Sequence, residues 1–413
     1  MGIPYLGRSD FVLNVLVYIP VGLFFLIAFR RNFNSGTAVL LATLSGILLS
    51  FSMETLQVFL PNRSPGIIDL ITNTMGSFFG AMLGHLANGK TSTGQRLHEL
   101  REYYFIEGTW VNMGLLILGL WALMHLSPIV VSLDMGKIRQ GLAPTWHLLQ
   151  DPSLFRSYSF FSTFMFFIGL NITVRQMVKP ERPAIALFFF FSLAVLLTKV
   201  FVISRQISPE QILALFAATF FTSFLSNPRT NAASRMAVIA IGLGYIISQL
   251  APSTDIVYTS TTFNWIPFKD QNANLNGISS ILENIWPFMA IGYLLHISIQ
   301  ETQRKFVLIV GGLFVALLAF SMEWMQQDIP GRTADISAVI VAIVGWIIPL
   351  SNRLNFSNTH QPEISAATNT TSSRGNLLSS PRPLAGEGAG ERTDFAFLPR
   401  PTSGEKAGER GKQ

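Results

Sequence analysis

Two glutamates lie inside long apolar segments of this chain, and the same set of polar residues surrounds each of them. The first segment reads FSMETLQVFLPNRSPGIID at residues 51–69, and the second reads FSMEWMQQDIPGRTADIS at residues 320–337. An ionisable side chain at membrane depth is costly, and it therefore marks a candidate site for ligand binding or proton transfer. Glu54 and Glu323 are the candidates at these two places.

Residues 51–63 and residues 320–332 match at seven positions with one constant offset, which indicates an internal duplication. The matched residues are Phe51, Ser52, Met53, Glu54, Gln57, Pro61 and Arg63 in the first copy, and Phe320, Ser321, Met322, Glu323, Gln326, Pro330 and Arg332 in the second.

Polar residues of three neighbouring helices are expected to converge around Glu54. Spacings of three or four residues place side chains on one helix face, and such spacings relate Glu54 to Gln57 and Asp69 to Asn73. Near the outer face of the cell membrane, an arginine would bind an anionic headgroup and a carboxylate would transfer a proton. The hypothesised catalytic residues are Glu54 and Asp69, and the hypothesised substrate-binding residues are Asp10, Asn14, Gln57, Arg63 and Asn73.

A structural role is the alternative for the same residues. Glu54 and Arg63 would then form an ion pair, with Asp69 hydrogen-bonded inside the bundle. The equivalents in the second copy are Asn284, Glu323, Gln326, Arg332 and Asp335. Asp335 falls in the first turn of a helix, where an acid suits the helix dipole, and Asn284 is also explained by interhelical hydrogen bonding.

Composition indicates a bundle of membrane helices. Only 13% of the residues are charged and the mean hydropathy is +0.42, whereas soluble domains carry about 25% charge. The chain has no cysteine, so disulfides and thiol chemistry are excluded, and its scattered histidines have no metal-ligand spacing. The net charge of +6 comes from short loops and does not favour nucleic acid. Nothing in the sequence identifies a cofactor.

About eleven apolar segments approach the length of about 20 residues that spans a bilayer. We therefore predict an all-α, polytopic transmembrane helical bundle of about eleven helices with two parallel pseudo-repeats. Lys199, near a helix end, is expected to extend to the membrane surface. The segments are 11–29, 37–59, 67–87, 111–131, 158–174, 184–203, 209–226, 236–250, 281–299, 305–327 and 334–350.

Loop charges and composition predict the orientation and the domain limits. We expect the chain to lie in the cell (inner) membrane. The arginine and lysine bias places its N-terminus on the outer side and its C-terminal tail in the cytoplasm. The predicted domains are a first repeat at 1–90, connecting transmembrane helices at 91–233, and a second repeat at 234–351. Residues 352–413 are rich in Ser, Thr, Pro, Gly and charge, and we predict a disordered low-complexity tail there.

The chain resembles the VanZ-like family of membrane proteins in two regions, roughly the first 87 residues and residues 236–350. The motifs are DxxxN at 10–14 followed by Pro20 and Gly22, ETLQVFLPNRSP at 54–65, DLITNTMG at 69–76, FNWIPF at 263–268, Asn284 to Gly292, and SMEWMQQDIPGRTAD at 321–335. The resemblance implies a helical integral membrane protein of the cell envelope and, by name, low-level glycopeptide (teicoplanin) resistance. It implies no established reaction.

The two copies depart from the family pattern in complementary ways. The first keeps Asp69 and Asn73 but has Gly66 where an acid often stands. The second has Asp335 at that place, while Ala338 and Ala342 replace the other two polar residues. The first copy lacks the family's opening helix, which precedes the second. If only one copy is active, its larger number of polar groups favours the first.

Three function classes follow, and the sequence leaves enzymatic activity open. The first is binding or modification of an anionic or lipid-linked outer-leaflet substrate, with the bilayer and a lipid-linked envelope precursor as partners. The second is a transporter or flippase for such a precursor. The third is a non-catalytic structural membrane protein. A polar lining through the middle helices would favour a carrier, whereas a blind pocket open to the outer face would favour binding or chemistry.

Overall fold

A computed structural model describes residues 8–58, 66–89, 91–132, 134–225, 227–252, 262–269 and 277–351. Contacts divide the chain into two units, Met1–Asn358 and Thr359–Gln413, and every described residue belongs to the first. Thirteen α-helices and no β-strand are present in these ranges. The helices are α1 Arg8–Phe29, α2 Ser35–Gln57, α3 Ile67–Leu86, α4 Ser92–Tyr104, α5 Thr109–Leu126, α6 Met135–Gln150, α7 Ser157–Met177, α8 Ala184–Thr198, α9 Pro209–Ser223, α10 Asn231–Leu250, α11 Gly277–Ser298, α12 Arg304–Gln326 and α13 Ile336–Ser351.

The chain is a multi-pass helical membrane protein, as its composition predicts. Within the described ranges, eight helices are long and apolar enough to cross a bilayer: α2, α3, α5, α7, α8 with the turn after it, α10, α11 and α12. The apolar stretches Asn14–Phe29 of α1 and Ile336–Leu350 of α13 are shorter. Each of the eleven predicted segments overlaps a helix, and the number of membrane crossings stays a prediction.

Two helices, α4 and α6, were not predicted from the sequence. Both are more polar than the others, so a search for apolar segments passes over them. α6 nevertheless exposes large apolar side chains, with Met135 75% and Leu149 74% accessible. A helix with one exposed apolar face and charged residues such as Lys137 suits the membrane interface rather than its interior.

The described helices form two packing groups. Helices α1, α2 and α3 pack mainly on one another around a small cluster of Leu26, Ala38, Ala42 and Ala81. The main core is separate and draws on α5 and on α7 to α13. Its largest fully buried side chains are aromatic, among them Trp121, Trp286, Trp346, Tyr245 and Tyr293.

Glycines allow close backbone approach at one crossing in each group. In the α1–α3 crossing, a Cβ at Gly22 would collide with the Ser77 carbonyl oxygen, and one at Gly76 would collide with that of Val15. Small residues at such crossings let membrane helices pack by backbone contact. In the α11–α13 crossing, Gly292 faces the Trp346 carbonyl oxygen and Gly345 faces that of Ile285.

Candidate functional site

Glu54 and Glu323 each connect the end of one helix to the beginning of the next. The Gly66 N–H donates to Glu54 Oε2 at 2.8 Å, and the Asp335 N–H donates to Glu323 Oε2 at 2.9 Å. In both cases donor and acceptor are twelve residues apart. The two N–H groups stand just before α3 and α13, where the positive end of the helix dipole favours a carboxylate.

Side chains of α1, α2 and α3 form the N-terminal cluster. Asn14 Nδ2 donates to Asp69 Oδ1 at 2.7 Å, and Asn73 Nδ2 donates to Ser50 Oγ at 2.9 Å. Tyr18 also hydrogen-bonds with Ser50. The structure thus brings Asn14 together with Asp69, and Asn73 together with Ser50. The sequence reasoning missed Ser50, although it precedes Glu54 by one helical turn and shares its face.

The two hypothesised catalytic carboxylates of this cluster face the same backbone position. Glu54 accepts the Gly66 N–H, and a Cβ on Gly66 would lie 3.3 Å from Asp69 Oδ2. Both acids are half-buried, and so is Gln57 at the end of α2. The buried Oδ1 of Asn73 has no hydrogen-bond partner among the described residues, which is an uncommon state for a buried acceptor.

Some predicted residues fall outside the described part of the chain. Arg63 lies within residues 59–65, together with the predicted helix start at Ser64 and Pro65, so its expected pairing with Glu54 stays a prediction. The side chain of Asp10 is likewise outside the described residues, although its backbone belongs to α1.

The C-terminal cluster is more deeply enclosed than the N-terminal one. Glu323 and Gln326 are each 3% exposed, Asn284 is 4% exposed and Asp335 is 5% exposed. The sequence favours the first copy by its number of polar groups, yet among the described side chains the glutamate is more deeply buried at the second place. The added partners come from α10, which has no counterpart among α1, α2 and α3.

Two side chains of α10 complete this cluster. The Tyr245 hydroxyl donates to Asn284 Oδ1 at 2.9 Å, and Gln326 Nε2 donates to Gln249 Oε1 at 2.7 Å. The sequence reasoning named neither α10 residue. The available signal was that they are polar, four residues apart and therefore on one face of an apolar helix.

Asp335 acts as an N-terminal cap of α13. Its Oδ1 accepts the Ser337 N–H at 2.8 Å and the Ser337 hydroxyl at 2.6 Å. Ser337 Oγ in turn accepts the Phe268 N–H at 2.7 Å, which ties the preceding loop to the helix start. Such bonds satisfy backbone donors that a helix start leaves unpaired.

Arg332 contacts the C-terminal end of α10. Its Nε donates to the Ala251 carbonyl at 3.2 Å, and its Nη2 donates to that of Ser248. The guanidinium also lies within electrostatic range of Glu323 and Glu283. A cation at a helix C-terminus stabilises the last carbonyl groups.

Glu283 was missed by the sequence reasoning although it adjoins Asn284 in the same apolar segment. Its side chain is exposed, and both Arg205 and Arg332 lie within electrostatic range of its carboxylate. A carboxylate exposed to lipid hydrocarbon would be costly, so we expect Glu283 to face a polar space. The search for charges inside apolar segments that identified Glu54 also applies to this residue.

Arg205 joins three parts of the bundle next to Glu283. Its Nε donates to the Ser127 carbonyl at 2.6 Å, and its Nη2 donates to Ser279 Oγ at 2.5 Å. Ser279 lies in the first turn of α11, one helical turn before Glu283. From the sequence, Arg205 was identified only as a loop charge, because its contacts join positions far apart in the chain.

The expectation for Lys199 was wrong. This lysine is 7% exposed, and its Nζ donates to Gln211 Oε1 at 2.8 Å instead of reaching the membrane surface. The helix α9 places Gln211 beside the lysine, so the ammonium group finds a partner inside the bundle. Among the described residues, no group of three His, Cys, Asp or Glu side chains is arranged to hold a metal ion.

Comparison with known proteins identifies the N-terminal part of the chain. Residues 3–88 match the model of the VanZ/LLP1 family. This match confirms the VanZ-like character predicted from the motifs of the first region, and it covers α1, α2 and α3 with the first of the two glutamates. The VanZ-like character of residues 236–350 stays a prediction. No curated protein and no solved structure matches the chain.

Proposed function

We propose that this VanZ-like membrane protein belongs to the cell envelope and binds an anionic or lipid-linked substrate at the outer leaflet. Through that substrate it influences glycopeptide (teicoplanin) susceptibility. The observation that carries the proposal is the accessible Glu283, which has Arg205 and Arg332 within electrostatic range, while Arg332 also lies within electrostatic range of the buried Glu323. The arginines bind the anionic group. Glu283 accepts a hydrogen bond or a proton from a neighbouring hydroxyl or amine of the substrate.

A duplicated three-helix unit is the second part of the proposal, with α1 to α3 and α11 to α13 as the two copies. Two independent features support it. The first is the pair of glutamate bonds across twelve residues. The second is the pair of glycine crossings, in which Gly76 and Gly345 hold equivalent positions of the two sequence copies. In this proposal Glu54 and Asp69 are the proton-transferring pair of the first copy, with Asn14, Asn73 and Arg63 around them.

A structural role remains the second candidate function, and the same glutamate bonds favour it. A carboxylate that accepts the N–H before a helix holds that helix start in place, whether or not a substrate binds. The two functions differ in what they require of the side chain. Helix anchoring requires only an acceptor oxygen, whereas anion-coupled proton transfer requires an ionisable group.

Glutamine substitutions separate these candidates. We expect Glu54→Gln and Glu323→Gln each to reach the membrane at normal abundance, because the amide oxygen still accepts the backbone N–H. When expressed in a deletion strain, we expect each variant to fail to restore the wild-type teicoplanin susceptibility and the wild-type envelope-lipid profile, because the ionisable group is gone. Immunoblotting of membranes, susceptibility tests and lipid-precursor profiling are the measurements.

The matched control is Asp328→Asn, which removes an exposed carboxylate just after α12 and leaves the glutamate bonds intact. We expect this control to behave as wild type. If both glutamine variants reach normal abundance and return the deletion strain to the wild-type phenotype, the two carboxylates are structural and the proton-transfer proposal is wrong.

The proposal includes the predicted orientation, with the glutamates at the outer face and the C-terminal tail in the cytoplasm. We expect a fluorescent reporter fused after Leu350 to fold and fluoresce, and an alkaline phosphatase fused there to be inactive. A phosphatase fused after Gln150, at the end of α6, should be active, which provides the internal control. Activity of the phosphatase only after Leu350 would reverse the orientation.

A further inference from the structure

A cavity of about 710 Å³ lies between the ends of α7 and α9 and the beginnings of α8 and α10. It is at the opposite end of α10 from Ser248 and Ala251, which contact Arg332, so it is separate from the site described above. Four cationic side chains line it: Arg175, Lys179, Arg182 and Arg229. Its volume falls in the range of about 300–1,000 Å³ that small-molecule sites occupy.

Backbone carbonyls and an aromatic ring hold the three arginines in place. Arg175 donates to the carbonyls of Thr222 and Leu225, and Arg229 Nη2 donates to that of Val178 at 2.7 Å. Arg182 Nε donates to the Tyr103 carbonyl at 3.0 Å while its guanidinium stacks 3.4 Å from the Tyr103 ring centroid.

These contacts fix the positions of the cations without consuming their capacity to bind an anion. A guanidinium has five N–H donors, and the hydrogen bonds within the described part of the chain use one or two on each arginine. The acid in electrostatic range of Arg229 is Glu181, which is exposed. Four cations against one exposed acid leave a positive cavity.

The rest of the lining identifies the kind of anion. Apolar residues of α8, among them Ile185, Phe189 and Phe190, form one wall, and Phe190 is 66% exposed on the outside of the bundle. Thr219 also lines the cavity, and its buried Oγ1 has no hydrogen-bond partner among the described residues. A cationic base beside an apolar, lipid-facing wall fits an amphiphile better than a soluble anion.

We propose that this cavity binds the phosphodiester group of an anionic phospholipid, with its acyl chains along Phe189 and Phe190. The arginines and Lys179 contact the phosphate oxygens, and Thr219 donates a hydrogen bond to one of them. Basic pockets between transmembrane helices on the cytoplasmic side bind such headgroups. In the predicted orientation the cavity faces the cytoplasmic leaflet, where anionic lipids attract basic residues.

The test is native mass spectrometry of the purified full-length chain, titrated with phosphatidylglycerol and with phosphatidylcholine. We expect a clear preference for phosphatidylglycerol. We expect the double variant Lys179→Gln/Arg229→Gln to weaken phosphatidylglycerol binding at least about tenfold, because it removes two charge-assisted contacts. Arg235→Gln is the matched control, because Arg235 is an exposed residue near the beginning of α10 that does not line the cavity.

Two further measurements keep the outcome decisive. Arg229→Lys retains the charge and should keep most of the binding, and an unchanged melting temperature of the double variant in phosphatidylcholine would show that it is folded. Equal retention of both lipids by the wild-type chain would overturn the proposal, as would an Arg235→Gln effect as large as that of the double variant. Displacement of phosphatidylglycerol by inorganic phosphate at equal concentration would assign the site to a soluble anion and overturn the lipid assignment.

Discussion

Replacing Arg332 by alanine is expected to destabilise the C-terminal half of the bundle by about 3–5 kcal/mol, the typical cost of leaving a buried charge without its partner. Arg332 donates to the carbonyls of Ser248 and Ala251 and compensates the charge of the buried Glu323. Its removal leaves a buried carboxylate near Asp335 and removes the cation from the end of α10. Thermal unfolding of the detergent-purified chain measures the loss.

A double variant distinguishes charge compensation from lost packing. Arg332→Ala/Glu323→Gln removes both charges, so we expect it to recover a substantial part of the stability that Arg332→Ala loses. Arg139→Ala, which truncates an exposed arginine of α6, is the control and should change stability little. If the double variant is no more stable than Arg332→Ala, charge compensation is not the role of this arginine.

Replacing Gly345 by leucine is expected to separate α11 from α13 and to cost about 1–3 kcal/mol or more, the usual range for overpacking. A Cβ at Gly345 already collides with the carbonyl oxygen of Ile285, and this atom belongs to the backbone and cannot rotate away. Membrane abundance and melting temperature are the measurements. Gly242→Leu is the control, because a Cβ at Gly242 in α10 meets nothing within 4 Å.

Gly76 offers the same test in the first copy, where the collision is with Val15. If the two three-helix units are duplicates, Gly76→Leu should lower abundance as Gly345→Leu does. If Gly345→Leu leaves membrane abundance and melting temperature unchanged, the α11–α13 crossing is not close-packed. The glycine crossings would then no longer support the duplication.

Local sequence patterns predict much of this fold, since long apolar segments need little context to be recognised as membrane helices. The helices α4 and α6 were not predicted, because they are amphipathic or polar rather than apolar. The two glutamates are also predictable, because a charge within an apolar segment is visible from the segment alone.

The surroundings of the glutamates were less predictable, because the neighbours come from distant parts of the chain. Asn284 contacts Tyr245 and Glu283 is near Arg205, and no spacing rule connects residues so far apart. Even Lys199, with its helix end correctly identified, was misjudged because its partner Gln211 belongs to another helix. Single-helix periodicity reports which residues share a face, but not which helix that face meets.

The separate core of α1 to α3 also bears on how the protein is made. A chain is synthesised from its N-terminus, and units fold as they emerge. The first three helices can therefore bury Leu26 against Ala38, Ala42 and Ala81 before α5 is translated. The larger core has to wait for Trp286 of α11 and Trp346 of α13. During biosynthesis, helices α5 to α10 are consequently expected to stay in the bilayer with an incomplete interface until α11 to α13 have been translated.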